Sequence, residues 1–479
     1  MKILASPVVV WDSRVRLWSE ATFATGGSPW GLIRLKPALQ DFAQRLVQAG
    51  SAGLQPVGER ELRAARALVH RGLAHPRALQ RNHHWDVEVV VPAHDRVPEL
   101  YACLRSLTHT QVLVIDDNSF DAQAILRTTE EFGARLFVRS KNGGPAAARN
   151  DGIAKTTAEF IAFVDSDCTL CPGWLDSLMP LFDDSQVGAV APRIRPRVVH
   201  QSVTAHFEYA ASALDMGADV EVVRPGGALS YLPAAVLIVR RSAIPLGGFD
   251  EFMRLGEDVD FIWRMVESGW QVRYEPTVVV EHELRGDFIQ LFKRRYDYGT
   301  SVVDLDERHA GALVPARVSG WNLVSFSGVA LQQPGITLTA LGTATQVLHE
   351  TLQCEGAPGV LVPFFVGKTL RADALAIGSV LRREYWPIGW AVLALSSTAK
   401  GSVGRITRLA AAAMVVPLLA DWRKDKPGLD PFRYVGLRLL ADAAYGSGVI
   451  KASIEKRSLR TLLPEVRFPI PRKKPRIKK

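Results

Sequence analysis

Residues 160–174, FIAFVDSDCTLCPGW, decide the fold class of this chain. An apolar run that starts after Glu159 ends abruptly in Asp165-Ser166-Asp167. A short, nearly continuous apolar run bounded by polar residues is typical of a strand buried on both faces. The stretch therefore predicts a central strand of a sheet covered by helices, with two carboxylates at its carboxyl end.

Further apolar segments of the same kind alternate with helical segments. The candidate strands are VEVVVPA (87–93), QVLVID (111–116), ARLFV (134–138), EFIAFVD (159–165) and QVGAVAP (186–192). Strands that alternate with helices indicate an α/β fold with a mostly parallel sheet. Ligands of such sheets bind outside the carboxyl ends of the strands. We therefore expect one edge of the sheet to carry Asp95, Asp116, Asp117, Asp165 and Asp167.

Composition divides the chain into four predicted regions. Residues 1–85 combine strand segments with two short amphipathic helices, which suggests a small winged-helix-like α+β module. The α/β domain occupies 86–300. Residues 301–463 are rich in Ala, Leu, Val and Gly and predict an apolar helical region, and 464–479 form a basic tail.

The region 301–463 contains three apolar runs: PGVLVPFFVG (358–367), WPIGWAVLALSSTA (386–399) and LAAAAMVVPLLA (409–420). Each is shorter than the ~20 residues that cross a bilayer squarely. Buried helices of a bundle and helices lying in the membrane interface explain them about equally well. We favour association with the cytoplasmic face of a membrane, peripheral or weakly inserted, over a purely cytoplasmic location.

The overall composition limits the class of protein. With 479 residues, 47% hydrophobic and 22% charged, the chain is a folded protein of about two to four domains. Four cysteines in this length do not make a disulfide framework, which favours a reducing compartment. The N-terminal residues do not resemble a secretory signal.

The formal charge of +9 is concentrated at the C-terminus. Residues 464–479 hold seven Lys or Arg and one Glu, so the rest of the chain carries only +3. Such a tail suits an anionic membrane surface, at about 1 kcal/mol per basic residue, or an acidic partner. A solvated tail without a partner is the other interpretation. A nucleic-acid-binding protein usually spreads basic residues over one face and mixes them with aromatic ones, and the sequence shows no such pattern, so no nucleic-acid partner is expected.

Asp165 and Asp167 can both reach one divalent cation, because residues i and i+2 leave the same strand end. Mg²⁺ or Mn²⁺ prefers oxygen ligands and often binds through one or two carboxylates plus substrate phosphates. A surface turn is the alternative interpretation of Asp-Ser-Asp. Cys168 and Cys171 follow at C-x-x-C spacing, but no second ligand pair follows them, so we expect packing residues rather than a zinc or redox site.

Two further segments suit a nucleotide. VLVIDDNS (112–119) ends a strand in two carboxylates that can accept hydrogen bonds from a base or a ribose. NGGPAAARNDG (142–152) is a Gly-containing turn that opens a helix carrying Arg149, and its N–H groups and cation can meet phosphate or ribose oxygens. The segment matches neither the dinucleotide GxGxxG pattern nor a P-loop.

A general base is predicted in GEDVD (256–260). Asp258 and Asp260 lie beside Glu257 at the start of a helix, where a carboxylate can take the proton of an acceptor hydroxyl. Acidic residues that only stabilise the helix dipole are the alternative. His282 follows a strand in VVVEHEL (278–284) and is either a further metal ligand or a structural residue.

These motifs occur in a fixed order between residues 89 and 299: VVVPAHDR, VIDDNS, NGGPAAARNDG, FVDSD, GGFD, GED-x-D and RRYDYG. The series resembles glycosyltransferase family 2, whose members are inverting enzymes of the GT-A fold. The resemblance implies a sugar transfer from a nucleotide-sugar donor that depends on Mg²⁺ or Mn²⁺.

The resemblance also implies roles for individual residues. The donor nucleotide is bound by Pro92, Ala93, Asp95, Asp116, Asp117, Arg149 and Asp165. The metal and the diphosphate would be bound by Asp165 and Asp167, with Asp167 as the metal ligand, and Asp258 would be the base. His282 is added as a further candidate metal ligand because of its position after a strand. QLFKRRY (290–296) departs from the family's QxxRW motif, which puts processivity in doubt. The acceptor or diphosphate side would then consist of Glu257, Arg294, Arg295 and Tyr296.

The layout of the whole chain is similar to that of the mycofactocin-system glycosyltransferases. This likeness implies a bacterial enzyme that adds β-1,4-linked glucose from UDP-glucose to a peptide-derived redox cofactor, with the N-terminal module in peptide recognition. Two rivals stay open. One is a membrane-associated transferase acting on a lipid-phosphate or cell-wall acceptor, and the other is a scaffold protein with a degenerate transferase domain.

Overall fold

The computed structural model describes residues 7–77, 84–197, 202–283 and 287–470. The chain divides into two compact units. The first comprises the described residues of Met1–His200 and Ala211–Leu284, and the second those of Gln201–Ala210 and Arg285–Lys479. The candidate site residues up to His282 belong to the first unit.

The N-terminal part of the first unit is a small α+β module. Its hydrophobic core contains Phe42, Leu46 and Leu68, which are completely buried. One pair of strands is antiparallel, β1 with β5, and β2, β3 and β4 form a three-stranded antiparallel sheet. The elements are β1 (Val8–Trp11), β2 (Arg16–Trp18), β3 (Phe23–Gly26), β4 (Gly31–Arg34), α1 (Pro37–Ala49), α2 (Gly58–His70) and β5 (Ala74–Arg77).

A nine-stranded sheet with flanking helices forms the rest of the first unit. Its first half consists of β6 (Val87–Ala93), α3 (Val97–Ser106), β7 (Gln111–Asp116), α4 (Ala122–Glu131), β8 (Arg135–Val138), α5 (Gly144–Lys155), β9 (Phe160–Val164), β10 (Cys168–Thr169), α6 (Trp174–Leu178) and β11 (Val187–Arg197). After α7 (Val203–Ala211) come β12 (Glu221–Val223), β13 (Val236–Arg240), α8 (Glu257–Glu267) and β14 (Gln271–Glu283).

The sheet is mixed, so the prediction of a mostly parallel sheet is only partly correct. Its strand order is β10-β14-β11-β13-β9-β6-β7-β8, and β12 pairs with β14. Strands β9, β6, β7 and β8 are parallel neighbours, as the alternation of strands and helices predicts. β13 lies antiparallel between β9 and β11, and β10 and β12 are antiparallel to β14. β11 and β14 are again parallel neighbours, so the antiparallel pairs of the sheet are those made by β13, β10 and β12.

The second unit is mainly helical. Its two short strands, β15 and β16, are parallel neighbours. The elements after β14 are α9 (Phe288–Thr300), α10 (Val302–Arg308), β15 (Arg317–Ser319), α11 (Gly320–Ala330), α12 (Pro334–Cys354), α13 (Leu361–Arg382), α14 (Trp386–Thr398), α15 (Gly401–Asp425), α16 (Pro431–Glu455) and β16 (Glu465–Arg467). The predicted fold class, α/β with a small N-terminal module and a helical C-terminal region, is confirmed.

The three apolar runs of the sequence lie in α13, α14 and α15. Within the described residues, α15 is the one helix long and apolar enough to cross a membrane, with a mean hydropathy of 1.5 over its most apolar stretch. One such helix is weak evidence for a span, since core helices of soluble proteins can have the same length and composition. Most of the predicted basic tail, from residue 471 on, lies outside the described residues.

Candidate active site

The carboxyl ends of β6, β7 and β9 meet at one edge of the sheet. β6 lies between the other two strands, and the register pairs Ala93 with Asp116. Asp165 follows β9 directly, and its N–H donates to the carbonyl of Ala235 at 2.8 Å. The structure thus brings Pro92, Ala93, Asp116 and Asp165 to the same edge, which is where ligands of such sheets bind.

Hydrogen bonds join the loop after β6 to the loop after β7. The Asp95 N–H donates to Ser119 Oγ at 2.7 Å, and the Phe120 N–H donates to Asp95 Oδ1 at 2.7 Å. Ser119 in turn donates its N–H and hydroxyl to Asp116 Oδ1 at 2.9 and 2.5 Å. Asp116 is completely buried, and its Oδ2 has no hydrogen-bond partner among the described residues. These two aspartates hold both loops in position at the edge.

Asp117 holds the glycine turn at the start of α5. Its carboxylate accepts hydrogen bonds from the N–H groups of Gly143 and Gly144 at 2.9 and 2.7 Å. Gly144 has a φ of 83°, a left-handed conformation that favours glycine. Arg139 forms an ion pair with Asp117 and a second one with Asp151 at 2.6 Å. The sequence analysis missed Arg139, although its position directly after β8 at the same sheet edge is a usable signal.

Arg149 connects the Asp-Ser-Asp motif to the Gly-Glu-Asp motif. Its side chain is only 4% exposed, and it pairs with Asp165 at 2.8 Å and with Glu257 at 3.1 Å. The guanidinium also lies 5.4 Å from the centre of the Phe249 ring. Burial disfavours the charged guanidinium, but the carboxylates of Asp165 and Glu257 raise the pKa of Arg149. The arginine therefore stays charged and fixes the end of β9 against the start of α8.

Asp167 and His282 are neighbours because β10 pairs with β14. The antiparallel register places Cys168 opposite His282. The Asp167 side chain is completely buried, and its Oδ1 lies 3.3 Å from His282 Nε2. Arg96 approaches from the loop after β6, with Nη1 3.5 Å from Asp167 Oδ2. Arg96 is a second cation that the sequence analysis missed, since an arginine after a strand resembles an ordinary surface residue.

The side chains of Asp167 and His282 can hold a divalent cation only if oxygen atoms of the substrate complete its coordination shell. No group of three or more His, Cys, Asp or Glu that could hold a metal ion is found in the part of the chain that the structure describes. Asp167 and His282 provide one carboxylate and one imidazole, whereas Asp165 points to Arg149. Mg²⁺ and similar ions often bind through one or two protein ligands and complete their shell with phosphate oxygens and water. The Asp167–His282 pair suits that mode of binding.

The acidic residues at the start of α8 differ in their surroundings. Burial and the nearby Asp258 charge raise the pKa of Glu257 to about 7, although Arg149 opposes the shift. Burial also raises the pKa of Asp258, whose oxygens accept from the N–H groups of Val259 at 2.8 Å and Ala234 at 3.3 Å. Asp260 is buried and pairs with Arg264 at 2.7 Å. Asp258 is therefore a better candidate for a base than Asp260.

The RRY segment lies in α9, in the second unit. Arg294 Nη2 donates to Glu208 Oε1 of α7 at 2.9 Å. The Tyr296 ring centre is 6.0 Å from the Lys451 ammonium of α16. Gly299 of α9 and Gly448 of α16 pack so closely that a side chain at either position would overlap the backbone of the other helix. Arg294 and Tyr296 thus have contacts within the helical unit.

The cysteines next to the Asp-Ser-Asp motif are packing residues. Cys168 and Cys171 are both free thiols, Cys168 is buried, and Cys171 packs against the same core. Burial raises the pKa of the Cys168 thiol well above its usual value, which makes it unreactive. The buried Cys168 suits the role of a packing residue, and the absence of a zinc or redox site at this C-x-x-C stays a prediction.

Comparisons with known proteins agree with this geometry. The model of Glycosyl transferase family 2 matches residues 88–209, and that of Glycosyl transferase family group 2 matches 160–422. The chain is 34% identical over 473 residues to the pre-mycofactocin glycosyltransferase of Mycobacterium tuberculosis, covering 95% of this chain and 97% of the relative. It is 23% identical over 235 residues to glycosyltransferase AglE of Haloferax volcanii, covering 46% of this chain and 73% of the relative.

Among solved structures, the mannosyltransferase PcManGT from Pyrobaculum calidifontis in complex with GDP-Man and Mn²⁺ is similar with a TM-score of 0.45 and 15% identity. That likeness covers 78% of this chain and 89% of the mannosyltransferase. The family models and the full-length relative carry the assignment. The chain belongs to glycosyltransferase family 2, and it resembles the mycofactocin-system enzymes within it.

Proposed function

We propose that this glycosyltransferase transfers glucose from UDP-glucose, with inversion, to a hydroxyl group of a peptide-derived acceptor of the pre-mycofactocin type. The observation that carries the chemistry is the Arg149 bridge, which joins Asp165 at the donor edge to Glu257 beside Asp258. The acceptor rests on the 34% identity to the pre-mycofactocin glycosyltransferase over nearly the full length of both chains. The β-1,4 linkage and UDP-glucose follow the family resemblance.

Asp258 is the base in this proposal. It takes the proton of the acceptor hydroxyl while the acceptor oxygen bonds to the anomeric carbon and the bond from that carbon to the diphosphate oxygen breaks. Attack from the face opposite the leaving group converts an α-linked donor into a β-linked product. A base is most effective when its pKa lies near the working pH, so the raised pKa of Asp258 suits the role.

The donor lies along the edge formed by β6, β7 and β9. The loops held by Asp95, Asp116 and Asp117 accommodate the nucleotide, and the N–H groups of Gly143 and Gly144 keep Asp117 in place. Asp167 and His282 would hold a divalent cation, which supplies positive charge to the diphosphate leaving group. Arg96 lies beside this pair and adds a protein cation that stays in place without the metal.

A second candidate function is transfer to a lipid-phosphate acceptor at a membrane. The observation that favours it is the large exposed apolar surface on the helices of the second unit. Processive synthesis is not part of either proposal, because the QLFKRRY segment departs from the motif of processive members.

An acceptor and donor panel tests the proposal. Purified full-length chain is incubated with UDP-, GDP- and dTDP-sugars, with Mn²⁺ or Mg²⁺ or with a chelator, and with either a pre-mycofactocin acceptor or a polyprenyl phosphate. We expect glucose transfer from UDP-glucose to the peptide-derived acceptor, with a β anomeric coupling in the product and loss of turnover on chelation. Transfer only to the polyprenyl phosphate would replace the first candidate by the second, and an α-linked product would contradict inversion.

A further inference from the structure

Arg96 has an unusual backbone conformation at the edge of the sheet where the donor is proposed to bind. It lies between β6 and α3, and both Asp95 and Arg96 have a φ of 55°. This left-handed conformation is sterically unfavourable for residues with a Cβ atom, and Asn and Asp are the residues besides glycine that adopt it most readily. The backbone conformation of Arg96 is therefore not a local preference of the sequence, and strain of this kind is typical of functional sites.

Hydrogen bonds from the loop after β7 hold this turn in place. The Asp95 N–H donates to Ser119 Oγ, and Asp95 Oδ1 accepts from the Phe120 N–H, both at 2.7 Å. Arg96 occupies the N-cap position of α3, but its side chain does not cap the helix. The turn thus fixes the backbone of Arg96 and leaves the guanidinium to contact other groups.

The guanidinium of Arg96 contacts a carboxylate that is fixed in position. Arg96 Nη1 lies 3.5 Å from Asp167 Oδ2, and Asp167 Oδ1 lies 3.3 Å from His282 Nε2. The Asp167 carbonyl also accepts from the Glu283 N–H at 3.0 Å. The Asp167 side chain is completely buried, whereas 40% of the Arg96 side chain is exposed. Of these two partners, the arginine is therefore the one that is able to move.

A second carboxylate lies within reach of Arg96. Glu99 Oε1 is 3.7 Å from Arg96 Nη1, the same nitrogen atom that approaches Asp167. Glu99 comes three residues later, and residues at this spacing are neighbours on a helix surface. The arginine therefore keeps an acidic neighbour when it moves away from Asp167.

Arg96 and a divalent cation would compete for Asp167. Two positive charges beside one buried carboxylate repel each other. Asp165 does not offset this repulsion, because its carboxylate pairs with Arg149 at 2.8 Å. The diphosphate of a donor does offset it, since its negative charge attracts both cations and the planar guanidinium matches the geometry of phosphate oxygens.

We propose that Arg96 pairs with Asp167 while no donor is bound and turns to the donor's diphosphate when the nucleotide and the metal bind together. Arg96 is then a positioning residue that weakens binding of the metal alone and strengthens binding of the nucleotide. The proposal rests on the function proposed above in one respect, namely that Asp167 holds the divalent cation. Its consequence is that the protein favours metal together with nucleotide over metal alone.

Calorimetric titration of the full-length chain with Mn²⁺ alone, and with UDP in the presence of a chelator, tests this. Arg96→Met removes the charge and keeps an unbranched side chain. We expect this variant to bind Mn²⁺ about tenfold more tightly than the wild type and UDP about tenfold more weakly. A damaged loop would weaken both, so the opposite signs of the two changes distinguish the proposed role from a structural one.

Two further variants serve as controls. Arg96→Lys keeps the positive charge and should restore most of the wild-type behaviour. Arg105→Met is the matched control, because Arg105 is an exposed arginine in the last turn of the same helix. It should bind Mn²⁺ and UDP like the wild type.

Asp167→Asn separates failure of this proposal from failure of the proposed function. If Asp167→Asn loses Mn²⁺ binding but Arg96→Met binds Mn²⁺ no more tightly than the wild type, only the role of Arg96 is overturned. If Asp167→Asn binds Mn²⁺ like the wild type, the metal site at Asp167 is overturned too. The expected result is that Arg96→Met gains affinity for Mn²⁺ and that the double variant Arg96→Met/Asp167→Asn loses it again.

Discussion

The two units of this protein differ in which side chains they bury: the first buries charged side chains, and the second exposes large apolar ones. At the sheet edge of the first unit, charged groups such as Asp167 and Arg149 are buried. In the second unit, large apolar side chains such as Leu409 and Val416 are exposed. Each arrangement costs stability, by desolvation in one case and by lost apolar burial in the other.

The difference between the two units lies in how that cost is compensated. Arg149 has two carboxylate partners, and Asp167 lies between a histidine and an arginine. The exposed apolar side chains of the second unit have no such compensation among the described residues. Buried and paired charge is typical of an active site, whereas exposed apolar surface is typical of a binding surface.

The largest effect is expected for Asp258→Asn. An amide cannot take the proton of the acceptor hydroxyl, so kcat should fall by about 10²–10⁴-fold. Binding of the donor nucleotide, measured by calorimetry, should stay close to that of the wild type. The control is Asp41→Asn, which changes an exposed aspartate of α1 and should leave kcat unchanged. Full turnover by Asp258→Asn would support the scaffold interpretation.

Arg149→Met tests the buried charge directly. The variant leaves Asp165 and Glu257 without their common cation, and we expect a loss of about 3–5 kcal/mol in the free energy of unfolding. Arg63→Met is the matched control, because Arg63 forms an exposed i,i+4 pair with Glu59 at 3.4 Å. That pair should contribute less than about 1 kcal/mol. Equal effects of the two substitutions in urea unfolding would show that the Arg149 bridge is not a stabilising feature.

The same Val→Ala substitution at a buried and at an exposed position compares the two units. Val164 of β9 is completely buried, so Val164→Ala should cost about 2–3 kcal/mol in the free energy of unfolding. Val416 of α15 is 59% exposed, so Val416→Ala should change it by less than about 0.5 kcal/mol in the absence of lipid. A large loss for Val416→Ala would mean that the protein itself covers this side chain of α15 in solution.

The smallest effect is a shift of the pH profile. Burial raises the pKa of Glu257 to about 7 and also raises the pKa of Asp258, so kcat/KM should fall toward acidic pH as the base becomes protonated. In Glu257→Gln the repulsion between the two carboxylates is gone, and the acidic limb should move to lower pH. Measurement of kcat/KM between weakly acidic and alkaline pH checks this. An unchanged limb would show that the two groups titrate independently.

The sequence predicts the first half of the sheet well because its signals are local. The apolar runs 87–93 and 111–116 coincide with β6 and β7, and the run 159–165 differs from β9 by one residue at each end. The pairing of β13 between β9 and β11 is not local, since it joins segments far apart in the chain. Nothing in the sequence of β13 distinguishes a parallel from an antiparallel strand.

The candidate site residues also divide into those with a local signal in the sequence and those whose role depends on contacts between distant segments. The acidic residues at the strand ends are visible in the sequence because carboxylates interrupt apolar runs. Arg96 and Arg139 are not, because their partners Asp167 and Asp117 come from other strands. The nearness of His282 to Asp167 depends on the two-residue strand β10 and its register with β14, which no periodicity indicates.

The most direct test of donor activation at this edge of the sheet is the hydrolysis of UDP-glucose by Asp167→Asn. The wild type and Asp41→Asn are measured for comparison. We expect the wild type and Asp41→Asn to hydrolyse the donor slowly in the presence of Mn²⁺ or Mg²⁺ and to stop when the metal is chelated. Asp167→Asn should lose this activity, and added metal should no longer strengthen its binding of UDP. Metal-dependent hydrolysis at the wild-type rate by Asp167→Asn would contradict the account, because the donor would then be activated away from this edge of the sheet.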